Sequence, residues 1–215
     1  MRKVFCSKDI SARPRREQIL DEALKLFATH GLRHVTTRQI AKAVGISQPS
    51  LYAHFPNRQT ICAEVCCRAM DQLFDALHGA TDAHDSPSVR LIKMGRTYVQ
   101  FGVNNEAAYR VAFMGEVSED AFDERERVVG AGLRAFGVMK ATFDDVFGAE
   151  SRESAFKAQS CWASVHGLVS LLLACREFPW FELDQFIDYH IEQIAAHAFE
   201  PTQTAGPAIP NVAVA

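Results

Sequence analysis

Residues 36–58, TTRQIAKAVGISQPSLYAHFPNR, leave the chain few ways to fold. Thr36 and Gln39 stand at capping-box spacing, so a helix opens there with Ile40 and Val44 on its buried side. Gly45 stops it. Ser47 is placed to cap a second helix, and Pro49 falls in that helix's first turn, where a missing N–H costs nothing. Pro56 ends it. Upstream, Ile19, Leu20, Ala23, Leu24 and Phe27 make one apolar stripe over residues 15–29, and Gly31 sits where a left-handed C-terminal cap is expected. Ile40, Val44, Ile46, Leu51 and Phe55 then lock the two short helices onto this first one.

Downstream, Asn57 is placed to cap a longer helix reaching Leu77, with Ile61, Val65, Ala69, Leu73 and Leu77 at four-residue spacing. Residues 79–88 are polar, contain Gly79 and Pro87, and read as a loop. Further helices are expected near 87–103, 105–115, 120–147, 151–176 and 183–199, and no stretch alternates long enough to argue a sheet. The fold class is therefore all-α. Its divisions are a flexible arm (1–12), a three-helix helix-turn-helix domain (13–60), a C-terminal helical domain (61–199) and a tail (200–215) that is small, proline-containing and uncharged from Pro201 on and is expected to be disordered.

Helix, glycine turn, short helix is the helix-turn-helix arrangement, whose second helix enters the DNA major groove. Charge agrees. Residues 1–60 hold eleven Lys and Arg against four acidic residues, a net of +7, while the whole chain of 215 residues is at −3. A basic head on an acidic body suggests that only the head meets a polyanion. Gln48, Pro49, Ser50, Tyr52 and His54 face away from the expected core, and their amide, hydroxyl, phenol and imidazole groups can bond phosphates or base edges. Arg13, Arg15 and Arg16 either contact DNA or form a solvated arm; Lys25 reads as solvated.

Other chemistry finds little support. No G-x-S-x-G, H-E-x-x-H or phosphate-cradling glycine loop occurs, so no catalytic residue, cofactor or metal is expected. The six cysteines lack zinc-site spacing and read as reduced thiols in a cytoplasmic protein, although Cys62 and Cys66, one turn apart, leave a thiol-redox sensor open. His190 and His197 read as packing residues, with metal binding or pH sensing as the alternative. No apolar leader follows Arg2 and Lys3, and no window reaches the roughly 18 apolar residues of a membrane span, so no membrane partner is expected.

The segment ILDEALKLFATHGLRHVTTRQIAKAVGISQPSLYAHFPNRQTI, residues 19–61, resembles the tetracycline-repressor (TetR) family of bacterial transcription regulators. AYRVAFM (108–114) and WASVHGLVSLLL (162–173) are similar to parts of that family's ligand-binding and dimerising domain. The resemblance implies a homodimer that binds double-stranded operator DNA, and a repressor released by a small hydrophobic or aromatic effector; an activator would keep the same fold. It places Thr37, Arg38, Gln48, Pro49, Ser50, Tyr52, His54 and Arg58 at the DNA. Arg58 stands where the family more often has lysine, and the recognition helix carries no Lys or Arg, so base discrimination rests on few groups. Tyr98, Phe101, Tyr109, Phe113, Met114, Trp162 and His166, with Phe136, are the implied effector-site residues. Dimerisation is expected through Ala155, Cys161, Val165, Leu168, Leu172 and Cys175 on one helix and Phe186, Ile187, Ile191, Ile194 and Ala195 on the next.

Overall fold

The computed structural model describes residues 14–113 and 122–200, and every regular element among them is helical. Helix α1 (Arg15–His30) leads through a single 3₁₀ turn (Leu32–His34) to α2 (Thr37–Val44) and α3 (Gln48–Tyr52). The capping box at Thr36 and Gln39 forms with both hydrogen bonds in place. Ser47 caps α3 by accepting from the Ser50 N–H, and Gly45 takes the left-handed conformation that turns the chain between the two helices. Gly31 departs from expectation. Its φ of 81° is positive, but ψ is 151°, so the chain leaves α1 extended rather than curling into a left-handed cap, and the 3₁₀ turn takes over the change of direction.

Ile19, Leu20, Ala23, Phe27, Ile40, Leu51 and Phe55 are buried together in the head, with Val44 and Ile46 at its edge. This cluster does not end at residue 60. It continues into Ile61, Cys62, Val65 and Cys66 of α4 (Arg58–Ala80), and into Val111 of α6 (Glu106–Phe113). Helix α4 is capped by Asn57, whose side chain accepts from the Thr60 N–H. It also runs through Gly79, where the sequence reads as a loop, because a glycine inside an otherwise well-buried helix costs only about 1 kcal/mol.

The body is arranged around α5 (Pro87–Asn104), which packs against α4, α7 (Phe122–Phe147), α8 (Arg152–Ala174) and α9 (Leu183–His197). Two glycines allow it to come so close. A Cβ on Gly95 would lie 2.9 Å from Ile191 of α9, and one on Gly102 would overlap Val169 of α8.

The apolar sides expected to form a dimer interface are mostly spent here. Cys161, Val165 and Leu168 of α8, with Ile191 and Ala195 of α9, are buried in the protomer's own core. Ala155, Leu172, Phe186, Ile187 and Ile194 are half-buried, and of the residues named only Cys175 is exposed. An amphipathic stripe packs on the nearest available surface, and α5 supplies it first. The expected arm at 1–12, Arg13, Met114, Cys6 and the tail from Pro201 lie outside the described residues.

Candidate functional site

The outward face of α2 and α3 is organised before any partner arrives. Gln48 Nε2 donates to Thr37 Oγ1 (3.1 Å), and the Thr37 and Tyr52 hydroxyls lie 3.2 Å apart. The start of α2 is thereby tied to both ends of the five-residue α3. Bonds from Thr37 and then Gln48 hold the Tyr52 phenol below the usual tyrosine range. Tyr52 is 45% exposed. Arg38, Gln48, Pro49 and His54 are also exposed, whereas Thr37 and Ser50 are half-buried, and His54 lies just beyond α3 rather than within it.

Two arginines are turned to other uses. Arg58 donates to the Leu32 carbonyl (2.5 Å), which binds the start of α4 to the 3₁₀ turn. Its guanidinium is thus directed into the head. Arg16 lies over the Phe55 ring at 4.7 Å and pairs with Glu64, while Arg15 bonds Gln18 and Lys25 pairs with Glu22 at the surface.

In the body a cavity of about 590 Å³ opens between α4, α5, α7 and α8. Four of the aromatic residues expected at an effector site line it: Tyr98, Phe113, Phe136 and Trp162. Phe101 and Tyr109 are packed in the core, and His166 stands behind the wall. Sequence reasoning missed Met70, Leu73 and Leu77 of α4 as lining residues, together with Val128, Val129, Leu133 and Met139 of α7. It also missed Gln159, which its spacing of three from Trp162 on one helix could have revealed.

A polar cluster backs this wall. The Trp162 indole N–H donates to the Tyr98 hydroxyl (3.3 Å), and His166 Nδ1 lies 3.1 Å from Tyr98 Oη and 2.6 Å from Tyr109 Oη. Burial depresses the His166 pKa, which favours a neutral ring accepting at Nδ1. Burial also raises both phenols above the usual tyrosine range.

Cys62 and Cys66, the pair one turn apart on α4, are both buried, and burial raises both thiols. Burial, helped by the neighbouring Cys62 and Cys67, pushes the Cys66 thiol up to about 12, opposite to the lowered pKa of reactive thiols. Its S–H donates to the Val111 carbonyl (3.6 Å). His197 Nδ1 donates to the Gln193 carbonyl and His190 stacks on Phe186; among the described residues no group of three or more His, Cys, Asp or Glu could hold a metal. No helix of these residues is long and apolar enough to cross a membrane.

Two family models match the chain. One, bacterial regulatory proteins of the tetR family, covers residues 19–65, and the other, the tetracyclin repressor-like C-terminal domain, covers residues 91–194. The chain belongs to the tetR family. Within it, the chain is 45% identical over 60 residues to the HTH-type transcriptional repressor KstR2 of Rhodococcus jostii (strain RHA1), a match covering 28% of this chain and 29% of that one. It is 26% identical over 175 residues to the HTH-type transcriptional activator FasR of Mycolicibacterium smegmatis, covering 81% and 75%. Against several curated relatives the match spans only about a third to a half of their length, as with YobS of Bacillus subtilis at 51%. A tetR-family regulatory protein from Rhodococcus RHA1 superposes with a TM-score of 0.69 at 16% identity, over 86% of this chain and 97% of that one. PfmR from Thermus thermophilus gives 0.66 at 18%, over 83% and 97%. At such identities the tetR-family structures speak for the fold alone.

Proposed function

We propose that this tetR-family chain is a DNA-binding transcriptional regulator, a repressor that leaves its operator when a small apolar molecule fills the cavity in the body. The observation that carries the reading is the exposed Thr37–Gln48–Tyr52 network on a basic head. It presents amide, hydroxyl and phenol groups already fixed in position, as groove recognition requires. Tyr52 and His54 hold phosphates, Arg38, Gln48, Pro49 and Ser50 meet the groove, and Arg58 stiffens the head from within.

Coupling runs along α7. Val128 lines the cavity and also packs against the head's apolar cluster. One turn earlier, Glu124 accepts from the Thr60 hydroxyl (3.0 Å), and Arg127 approaches Glu64, the carboxylate that also holds Arg16 of α1. A ligand that displaces α7 therefore acts on the head directly. Two recognition helices must sit about 34–36 Å apart to enter successive major grooves, so a homodimer is required and a shift in either head weakens binding. The exposed side of α8 suits that dimer: Phe156 and Leu171 flank the small residues Ser160, Ala163 and Gly167 on one face, where a second helix can approach.

Retention of genomic DNA on the purified protein at physiological salt, followed by sequencing, tests the reading. A palindromic site is expected. With that site in hand, Tyr52→Phe combined with His54→Ala should weaken binding to all operator variants alike, because phosphate contacts position without specifying. Loss on one variant alone would remove the phosphate assignment. Activation is the second reading, favoured by the longer match to FasR; reporter expression in a deletion strain separates the two signs.

A further inference from the structure

The cavity wall carries its polarity in one place. Gln159 and Trp162 share a face of α8, and the Trp162 N–H reaches the Tyr98 hydroxyl on α5. The Tyr98 hydroxyl lies 3.1 Å from His166 Nδ1, and the Tyr109 hydroxyl lies 2.6 Å from the same nitrogen. The indole N–H is thus spent on the Tyr98 oxygen, and the Tyr98 and Tyr109 O–H groups are both directed at the imidazole nitrogen. That leaves the Tyr98 oxygen, which has two lone pairs and receives one indole N–H, with a lone pair unused.

No charged side chain is found among the described residues lining the cavity. On α7, Arg134 is paired with Asp71 (2.6 Å) and Lys140 with Asp144 (2.7 Å). An anionic guest would thus leave water without a cation to meet it, and a cationic guest would find no carboxylate among the described lining.

We infer that the cavity takes an uncharged, mainly apolar alcohol, seated with its O–H on the Tyr98 oxygen beside the Gln159 amide. This rests on the cavity being the effector site. The test uses full-length protein carrying Trp180→Phe, so that Trp162 is the one remaining tryptophan. Trp162 fluorescence is followed against 1-decanol, decanoate and decylamine at neutral pH. Decanol is expected to bind at least about tenfold tighter than either ion. Equal or tighter binding of decanoate or decylamine overturns the inference.

The same titrations in Gly132→Phe, which projects a ring into the cavity from α7 where a Cβ meets nothing closer than Met70 Cε at 3.9 Å, separate the two readings. If decanol binding survives there unchanged, the cavity is not the site, and the effector reading falls with the inference. If binding is lost there but the ions rank first in the open protein, only the alcohol assignment fails. Absence of binding by all three probes, checked by equilibrium dialysis, removes both. Tyr98→Phe should further lower decanol affinity about two- to tenfold while sparing decanoate; unchanged decanol affinity in the folded variant takes away the proposed seat.

Discussion

Gly102 is a residue whose importance is entirely spatial. A methyl group there would collide with Val169 Cγ1 and crowd the Tyr109 ring at 3.2 Å, so Gly102→Ala should destabilise the protein by about 1–3 kcal/mol in chemical denaturation. Gly137→Ala, in a helix with nothing within 4 Å, should be neutral or stabilising by up to about 1 kcal/mol. His166 makes a residue-scale prediction in pH. Its folded-state pKa is depressed, so the unfolded chain takes up a proton first; its contribution to stability is complete above the ordinary histidine value near 6.5 and is lost as pH falls below it. Thermal unfolding between pH 8 and pH 5 should show a smaller fall in Tm for His166→Gln than for the wild type. An equal fall in both would place the titration elsewhere.

At the scale of elements, the caps were the most legible part of the sequence. Thr36, Ser47 and Asn57 each announce a helix through a side chain that must find a backbone N–H, and each does so. Burial of particular faces was less legible, because an apolar stripe states that something covers it and not what. Val165 and Ile191 read equally well as dimer contacts or as core, and the close approach permitted by Gly95 and Gly102 decided for core. Phe101 and Tyr109 were indistinguishable from cavity residues for the same reason, since helical spacing is shared by a wall and by the packing behind it. Apart from Phe136, the lining supplied by α7 was missed because it is aliphatic, and Val128, Val129 and Leu133 look like ordinary helix residues in the sequence. Yet α7 touches both cavity and head, so Val128→Ala should retain most ligand affinity while reducing ligand-induced release from operator, within the usual coupling of about 1–3 kcal/mol. Operator binding measured with and without ligand checks this, and undiminished release would move the coupling to another helix.

For the whole molecule, the separation of charge and the need for two heads lead to measurable behaviour. Operator affinity should fall steeply, by a factor on the order of ten or more, between low and physiological salt, since phosphate contacts release counterions. A flat response would mean that the basic head is not the contact surface. Leu171→Arg, on the exposed face of α8, should yield monomers by sedimentation at micromolar concentration and abolish tight operator binding while the helical content is unchanged. A dimer that persists would place the twofold axis on another face.

The apolar cluster of the head extends into the first turns of α4 and takes Val111 from α6, so the head and the body share interior residues. Such a protein cannot be recombined like beads on a string. A chimaera joined after residue 60 would remove Ile61, Cys62, Val65 and Cys66 from the head's apolar cluster, while a graft that carries Ile61 to Cys66 and a matching partner for Val111 keeps the interior closed. A new head thus reaches this body only with its own half of the joint, which makes changes of DNA target and changes of sensed molecule unequal problems for any lineage or laboratory that attempts them.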